Sequence, residues 1–315
     1  MDLGSTAVIA LGGNAIIKQG QKGTITEQFA NTRESLSGIV ELTRRGYRLA
    51  ITHGNGPQIG HYLIRVERAR DVVPFVPLGV CVAGTEGEMG YMIAQSLQNA
   101  LMREGIQREV TAMLTQVVVD PNDPSISDPS KPIGSFFTHY EAQILMGSEN
   151  WVMKEDAGRG WRRVVPSPIP QSVVEGQQIK RMVEHGEIVI ACGGGGIPVY
   201  YMEDGRLEGV DAVVDKDLAS AVLARQIGAE LLIIATGVPR VCIHFGKPDQ
   251  VELERMTVTE AKGWLVAGEF PKGSMGPKIG AAISFLEGGG TRVIITENDL
   301  VLDALAGKVG TEIVG

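Results

Sequence analysis

Cysteine is scarce in this chain of 315 residues, with Cys81, Cys192 and Cys242 the only three. An odd, scattered set excludes a disulfide framework and fits free, buried thiols in a reducing compartment. No run of about 18 apolar residues occurs, so no membrane span is expected. The opening "MDLGSTAVIA" lacks a basic stretch followed by a long apolar one, so no secretory leader is expected and the cytoplasm is the expected location. There is no excess of basic residues either. The net charge is −8, which argues against a general nucleic-acid surface.

Several catalytic signatures are missing too. No G-x-x-x-x-G-K-[ST] loop occurs, "GNGPQIG" misses the dinucleotide spacing by one residue, and no G-x-S-x-G elbow is present. The five histidines (His53, His61, His139, His185 and His244) form no H-x-x-x-H pair and have no C-x-x-C beside them. No metal ligand set is therefore assigned to the protein itself.

What remains is an alternation of strand-like and helical runs. "TAVIAL" (6–11), "YRLAIT" (47–52), "EVTAMLTQVVV" (109–119), "EIVIAC" (187–192), "ELLIIAT" (230–236) and "TRVIIT" (291–296) read as strands. Thr24 with Glu27, and Thr138 with Glu141, have the spacing of capping boxes. A long helix is expected over roughly 86–103, and Asp204-Gly205 marks a hairpin. The reading is an α/β fold: a three-layer αβα sandwich with a mainly parallel central sheet. Four prolines in "DPNDPSISDPSKPIG" (120–134) break the rhythm, and residues 151–168 resemble a hairpin around Ala157 to Gly160. Residues 120–168 are read as a protruding flap subdomain.

Three glycine loops follow strands: Gly12-Gly13, Gly54-Asn55-Gly56 and Gly193 to Gly196. Anions bind beyond the carboxyl ends of parallel strands, where glycine lets backbone N–H groups approach. His53 stands beside the second loop, either at an anion or merely ending a strand. The positive charge must come from elsewhere. Lys131 lies among the flap prolines. Lys216 sits between Asp215 and Asp217 at a helix start, and Lys278 follows "GSMGP" at another. Together they suggest a distributed phosphate clamp, as phosphoryl transfer requires. Asp217 could hold the lysines charged and aimed, or cap the helix, or both.

The chain resembles the carbamate kinases of the amino acid kinase family nearly end to end. The resemblance rests on "ALGGNA" (10–15), "HGNGPQIG" (53–60), "KPIGSFFT" (131–138), "EDAGRGWRRVVPSP" (155–168), "GGGGIPV" (193–199), "GVDAVVDKDLAS" (209–220), "FGKPDQ" (245–250), "GSMGPKI" (273–279) and "DALAGKVGT" (303–311). It implies phosphoryl transfer between ATP and carbamate, giving ADP and carbamoyl phosphate, with Mg²⁺, in a cytoplasmic homodimer. Residues 1–119 and 169–195 would form the acceptor lobe, and 196–315 the nucleotide lobe. By motif, Gly12, Gly13 and Asn14 would hold the transferring phosphoryl group, with Gly54 and Asn55 by the carbamate. Lys131 would reach in from the flap. Lys216 and Lys278 would clamp the nucleotide phosphates, organised by Asp217. Thr236, Gly237 and Val238, with Met275 and Gly276, would border the nucleotide.

Three positions depart from the family pattern. Thr85-Glu86 replaces the commoner Ser-Gln, Gly237 stands where many relatives carry an acidic or amide residue, and Lys272 stands where a small residue is usual. Glu86 motivates an alternative, an amino acid kinase acting on another small carboxylate, because a carboxylate in the pocket would repel an anion. A non-catalytic nucleotide sensor is the third reading, opposed by the four charged residues Lys131, Lys216, Asp217 and Lys278.

Overall fold

The computed structural model describes residues 4–18, 20–148, 151–156, 158, 160–271 and 273–315, with Asn14 and Ser135 described by backbone alone. Lys272, and Ala157 and Arg159 of the expected hairpin turn, lie outside the described residues. The chain begins with β1 (Thr6–Leu11), α1 (Ile25–Ser35), α2 (Ser37–Arg44), β2 (Arg48–His53), α3 (Gly56–Ala69) and α4 (Leu78–Arg103). Then come β3 (Val110–Ala112), β4 (Gln116–Val119), α5 (Pro124–Ser127), β5 (Lys131–Phe137), α6 (His139–Ser148), β6 (Met153–Glu155) and β7 (Trp161–Val165). These are followed by β8 (Pro170–Val173), α7 (Gly176–Glu184), β9 (Ile188–Ile190), β10 (Ile197–Tyr201), β11 (Leu207–Gly209), α8 (Lys216–Gln226) and β12 (Leu231–Thr236). The last part holds β13 (Val241–Ile243), β14 (Val251–Leu253), β15 (Arg255–Thr257), α9 (Val258–Val266), α10 (Met275–Glu287), β16 (Arg292–Glu297), α11 (Val301–Leu305) and β17 (Thr311–Val314).

Among the described residues the main sheet has eight strands in the order β15-β17-β16-β12-β1-β2-β9-β3. Only the β16–β17 pair is antiparallel. Side chains alternate across a strand, and β1 uses both faces. Ala7, Ile9 and Leu11 face a core shared with Ile39 and Leu42 of α2 and with Met89, Ile93, Leu97 and Leu101 of α4. Val8 faces the opposite core, with Ile179 of α7, Leu223 of α8 and Ile283 of α10. The four-residue spacing along α4 keeps one stripe on the sheet. Each buried Leu or Ile contributes about 2 kcal/mol to this three-layer sandwich.

Both expected capping boxes are present. Thr24 and Glu27 exchange them at α1, and Thr138 and Glu141 do so at α6. Two readings are corrected. Residues 109–119 are not one strand: β3 belongs to the main sheet and β4 to a second sheet of order β11-β10-β4-β8. The chain changes sheet at 113–115, where the Thr115 hydroxyl accepts from the Cys192 N–H at 3.0 Å. The long helix starts at Leu78, eight residues before the expected position. Its glycines disguised it, and two of them are packing sites: a Cβ at 84 would press on Tyr62, and one at 90 on Ala112.

The flap is a sheet of order β5-β7-β6. Pro132 lies on β5, an edge strand where a missing N–H is tolerated. Ile133 and Val165 root the flap in a core cluster with Ile59 and Leu63 of α3 and with Val213. That contact brings Lys131, the first residue of β5, to Asp215 at the start of α8.

Candidate active site

The first two glycine loops meet because their strands are neighbours. β1 and β2 pair in parallel from Thr6–Arg48 to Leu11–His53, and the Gly54 N–H donates to the Leu11 carbonyl at 3.3 Å. Gly12 also closes on β12, since a Cβ there would lie 2.7 Å from the Ala235 carbonyl oxygen. Its N–H faces the Asn298 side-chain oxygen at 3.4 Å. Gly13 opens on empty space. The side chain of Asn14 lies outside what the structure describes.

Helix α8 supplies the charged side of the site. The sequence "VVDKDLAS" starts it with an N-cap, and that cap is Asp215: its Oδ1 accepts from the N–H groups of Asp217 (2.9 Å) and Leu218 (3.4 Å). The cap role considered for Asp217 thus belongs to Asp215, and Asp217 is free to face the lysines. Asp217 Oδ1 accepts from Lys216 Nζ at 2.5 Å and Oδ2 from Lys278 Nζ at 3.0 Å. Lys278 stands one turn into α10, whose start is set by the Gly276 N–H donating to the Pro271 carbonyl. Across the cleft, Lys131 Nζ donates to Asp215 Oδ2. Lys216 connects this row to the second glycine loop: a Cβ on Gly54 would lie 3.3 Å from Lys216 Cδ. Lys131, Asp215, Lys216, Asp217 and Lys278 therefore form one row of alternating charge.

Burial and pairing pull these groups in opposite directions. Asp217 is 2% exposed. Burial pushes its carboxyl up, but Lys216 and Lys278 together hold it well below the usual carboxylate range. Burial pushes Lys216 down, and the neighbouring Lys278 adds to that, so Asp217 only partly offsets the fall. Lys278, also desolvated, is carried above its ordinary value by Asp217 and Asp215. With three lysines against two carboxylates the row has one cation in excess, a site suited to anionic ligands.

The third glycine loop is folded under the second. Cys192 has a positive φ of 50° and Gly194 one of 68°. The Gly194 backbone packs on the carboxamide of Asn55. Asn55 Nδ2 donates to the Thr85 hydroxyl at 2.9 Å, so this residue starts α3 without capping it. The first-turn N–H groups of α3 stay available to an anion. Glu86, 3% exposed, does not project toward that space. Its Oε1 accepts from the Gly193 N–H (2.9 Å) and its Oε2 from the Thr115 N–H (3.1 Å). Burial pushes the carboxyl up to about 8 against those two donors, so at neutral pH it is largely uncharged. His53 is driven down to about 4 by burial and is neutral as well; its Nδ1 lies 3.3 Å from the Gly54 carbonyl. Among the described residues its Nε2 has no partner.

The bordering residues are less concentrated. Thr236 and Gly237 line a cleft of about 200 Å³ with Ala15, Lys18, Asn31 and Asn298, next to Gly12. Val238 is half-buried beyond them. Met275 packs against the core, leaving Gly276 and Lys278 to shape that edge. Thr115 and Asp215 were not singled out by sequence for any role, and Thr85 only as a departure from the family pattern; of the three, Asp215, an aspartate two residues before an Asp-Leu-Ala helix start, carried a readable capping signal.

Known proteins share this fold. The amino acid kinase family model matches residues 5–297. The carbamate kinase of Thermococcus kodakarensis is 48% identical over 310 residues, 98% of each chain. The structure of carbamate kinase from Giardia lamblia bound to citric acid superposes with a TM-score of 0.95 at 40% identity, covering 100% of this chain and 99% of that one. The same enzyme bound to AMP-PNP gives 0.90 at 41% identity, with 100% and 99% covered. The chain belongs to the amino acid kinase family and, within it, to the carbamate kinases.

Proposed function

We propose that the chain catalyses ATP + carbamate ⇌ ADP + carbamoyl phosphate and that it works mainly toward ATP. The observation that carries this reading is the row of three lysines and two carboxylates that runs past the Gly54 loop. The AMP-PNP held by the Giardia relative supports a nucleotide substrate, which we assign to the α8 and α10 side with Thr236, Gly237, Val238, Met275 and Gly276 at its border. In this reading residues 1–119 and 169–195 serve the acceptor and 196–315 the nucleotide.

Toward ATP, an ADP β-phosphate oxygen attacks phosphorus, and the bond from phosphorus to the carbamoyl oxygen breaks. Carbamate leaves as an anion, so no general base or acid is required. What the protein must do is hold two anions in line and offset the charge between them. Gly12, Gly13 and Asn14 cradle the moving group, Gly54 and Asn55 seat the carbamate, Lys216 and Lys278 hold the nucleotide phosphates, and Asp217 aims both lysines. Lys131 faces the same space from the flap.

Mg²⁺ fits as a partner of the nucleotide rather than of the protein. Asp217, the more deeply buried carboxylate of the row, is already paired with Lys216 and Lys278. Mg²⁺ commonly sits on substrate phosphates with few protein ligands, where it supplies charge neutralisation. No helix among the described residues is long and apolar enough to cross a membrane. We place the enzyme in the cytoplasm as a homodimer.

The test is ATP formation from ADP, carbamoyl phosphate and Mg²⁺, with acetyl phosphate as the control donor. ATP from carbamoyl phosphate alone supports the reading. ATP from acetyl phosphate instead would replace it with the kinase of another acyl phosphate, and no ATP with nucleotide still bound would leave a sensor.

A further inference from the structure

The Asp215 carboxylate does two things at once. One oxygen caps α8; the other accepts from Lys131, 84 residues away at the first position of the flap strand β5. Ser, Thr or Asn could cap the helix equally well, but only Asp leaves a second, charged oxygen to spare. The pair is sheltered, with side-chain exposures of 28% for Lys131 and 12% for Asp215. A backbone seam lies directly beside it, where the Val213 N–H donates to the Pro166 carbonyl at 3.0 Å. The root of the flap is therefore tied to residues 213–215 twice, once by backbone and once by charge.

From this we infer that Asp215 is a positioning residue for Lys131, holding the flap lysine over the site through the N-cap of the nucleotide-side helix. A lysine ammonium has three N–H donors. One on Asp215 leaves two for oxygens of the substrate, so the lysine need not be released to act. The arrangement repeats on neighbouring residues. Asp217 aims Lys216 and Lys278, and Asp215, two positions earlier, aims the lysine that arrives from the flap. Movement of the α8 N-terminus would be passed to Lys131 through this carboxylate. The inference rests on the phosphoryl-transfer reading only for the role of Lys131; the tie itself is independent of it.

Asp215→Asn keeps the cap and removes the charge. Amide hydrogen exchange over 131–137, measured without substrate, is expected to speed up in Asp215→Asn and in Lys131→Met to a similar extent. The double variant should add nothing further, because both changes break one interaction. With substrates, Asp215→Asn should raise KM for carbamoyl phosphate about tenfold, the scale of a charge-assisted hydrogen bond, while KM for ADP stays within about twofold. Flap exchange unchanged in Asp215→Asn, or additive in the double variant, overturns the inference. So does a KM for ADP that rises in step with that for carbamoyl phosphate, which would mark a general loss at α8. The exchange pattern is read without turnover, whereas the functional reading stands or falls on the wild-type rate.

Discussion

Asn55 and Gly194 are in backbone-to-side-chain contact: a Cβ at 194 would lie 2.1 Å from Asn55 Nδ2. The third glycine loop is thus a floor on which the asparagine of the second loop rests, with Thr85 holding that side chain from α4.

Gly194→Ala tests this floor. The alanine methyl would overlap the carboxamide, and φ of 68° disfavours any residue with a Cβ. Displacing Asn55 should raise KM for carbamoyl phosphate by at least about tenfold with ADP binding little changed, a split that steady-state kinetics with each substrate varied would show. Equal KM values in variant and wild type would remove Asn55 from the acceptor pocket.

Lys131→Ala separates binding from chemistry. Losing one cation from the reacting centre is expected to lower kcat by about 10² to 10³. Nucleotide affinity, measured by titration calorimetry, should move less than about threefold. An unaffected rate would take Lys131 out of the mechanism.

Asp217→Asn leaves Lys216 buried without its anion. Breaking a buried pair costs about 3–5 kcal/mol, so the unliganded variant should melt well below wild type. ADP phosphates would then stand in for the missing carboxylate. The rise in melting temperature on saturating with ADP should be larger in the variant than in wild type. An equal rise in both would mean the lysines do not face the nucleotide.

Glu86 makes stability depend on pH. Its folded-state value is raised to about 8 by burial, above the ordinary 4.5. Its contribution is complete below 4.5, declines as pH rises, and is lost once pH passes about 8. Glu86→Gln matches the neutral form and does not titrate. Wild type should therefore lose stability relative to Glu86→Gln by up to about 1.4 kcal/mol per pH unit across that window, then level off. Denaturant unfolding of both proteins at several pH values would show it, and a constant difference from pH 5 to 9 would contradict it.

Much of this site was legible because punctuation survives folding. The strand-then-glycine pattern located the first two loops, and Lys216 and Lys278 betrayed themselves by sitting at helix starts. Glu86 was misleading for a physical reason. Sequence shows a carboxylate near the acceptor loop, but not that both its oxygens are taken by the N–H groups of Gly193 and Thr115. The break between β3 and β4 was equally hidden. The β-prone run of residues 109–119 carries no turn residue to mark a change of sheet, and tertiary contacts at Thr115 decide it. The tie between Lys131 and Asp215 joins a flap strand to a helix start 84 residues away and could be seen only in three dimensions.

The position of β1 has a consequence for how the enzyme can move. It pairs with β2 on one side and with β12 on the other, Ala7 to Ala10 lying against Leu231 to Ile234. The glycine loops that follow β1 and β2, and the strand β12 beside them, thus hang from one hydrogen-bonded sheet, not from two bodies on a linker. Rotating one half away from the other would mean tearing a ladder out of the middle of the molecule. The flap is anchored outside that ladder, through Ile133 and Val165 against Ile59, Leu63 and Val213, so a displacement of the flap would leave the continuous, unjointed floor beneath it intact.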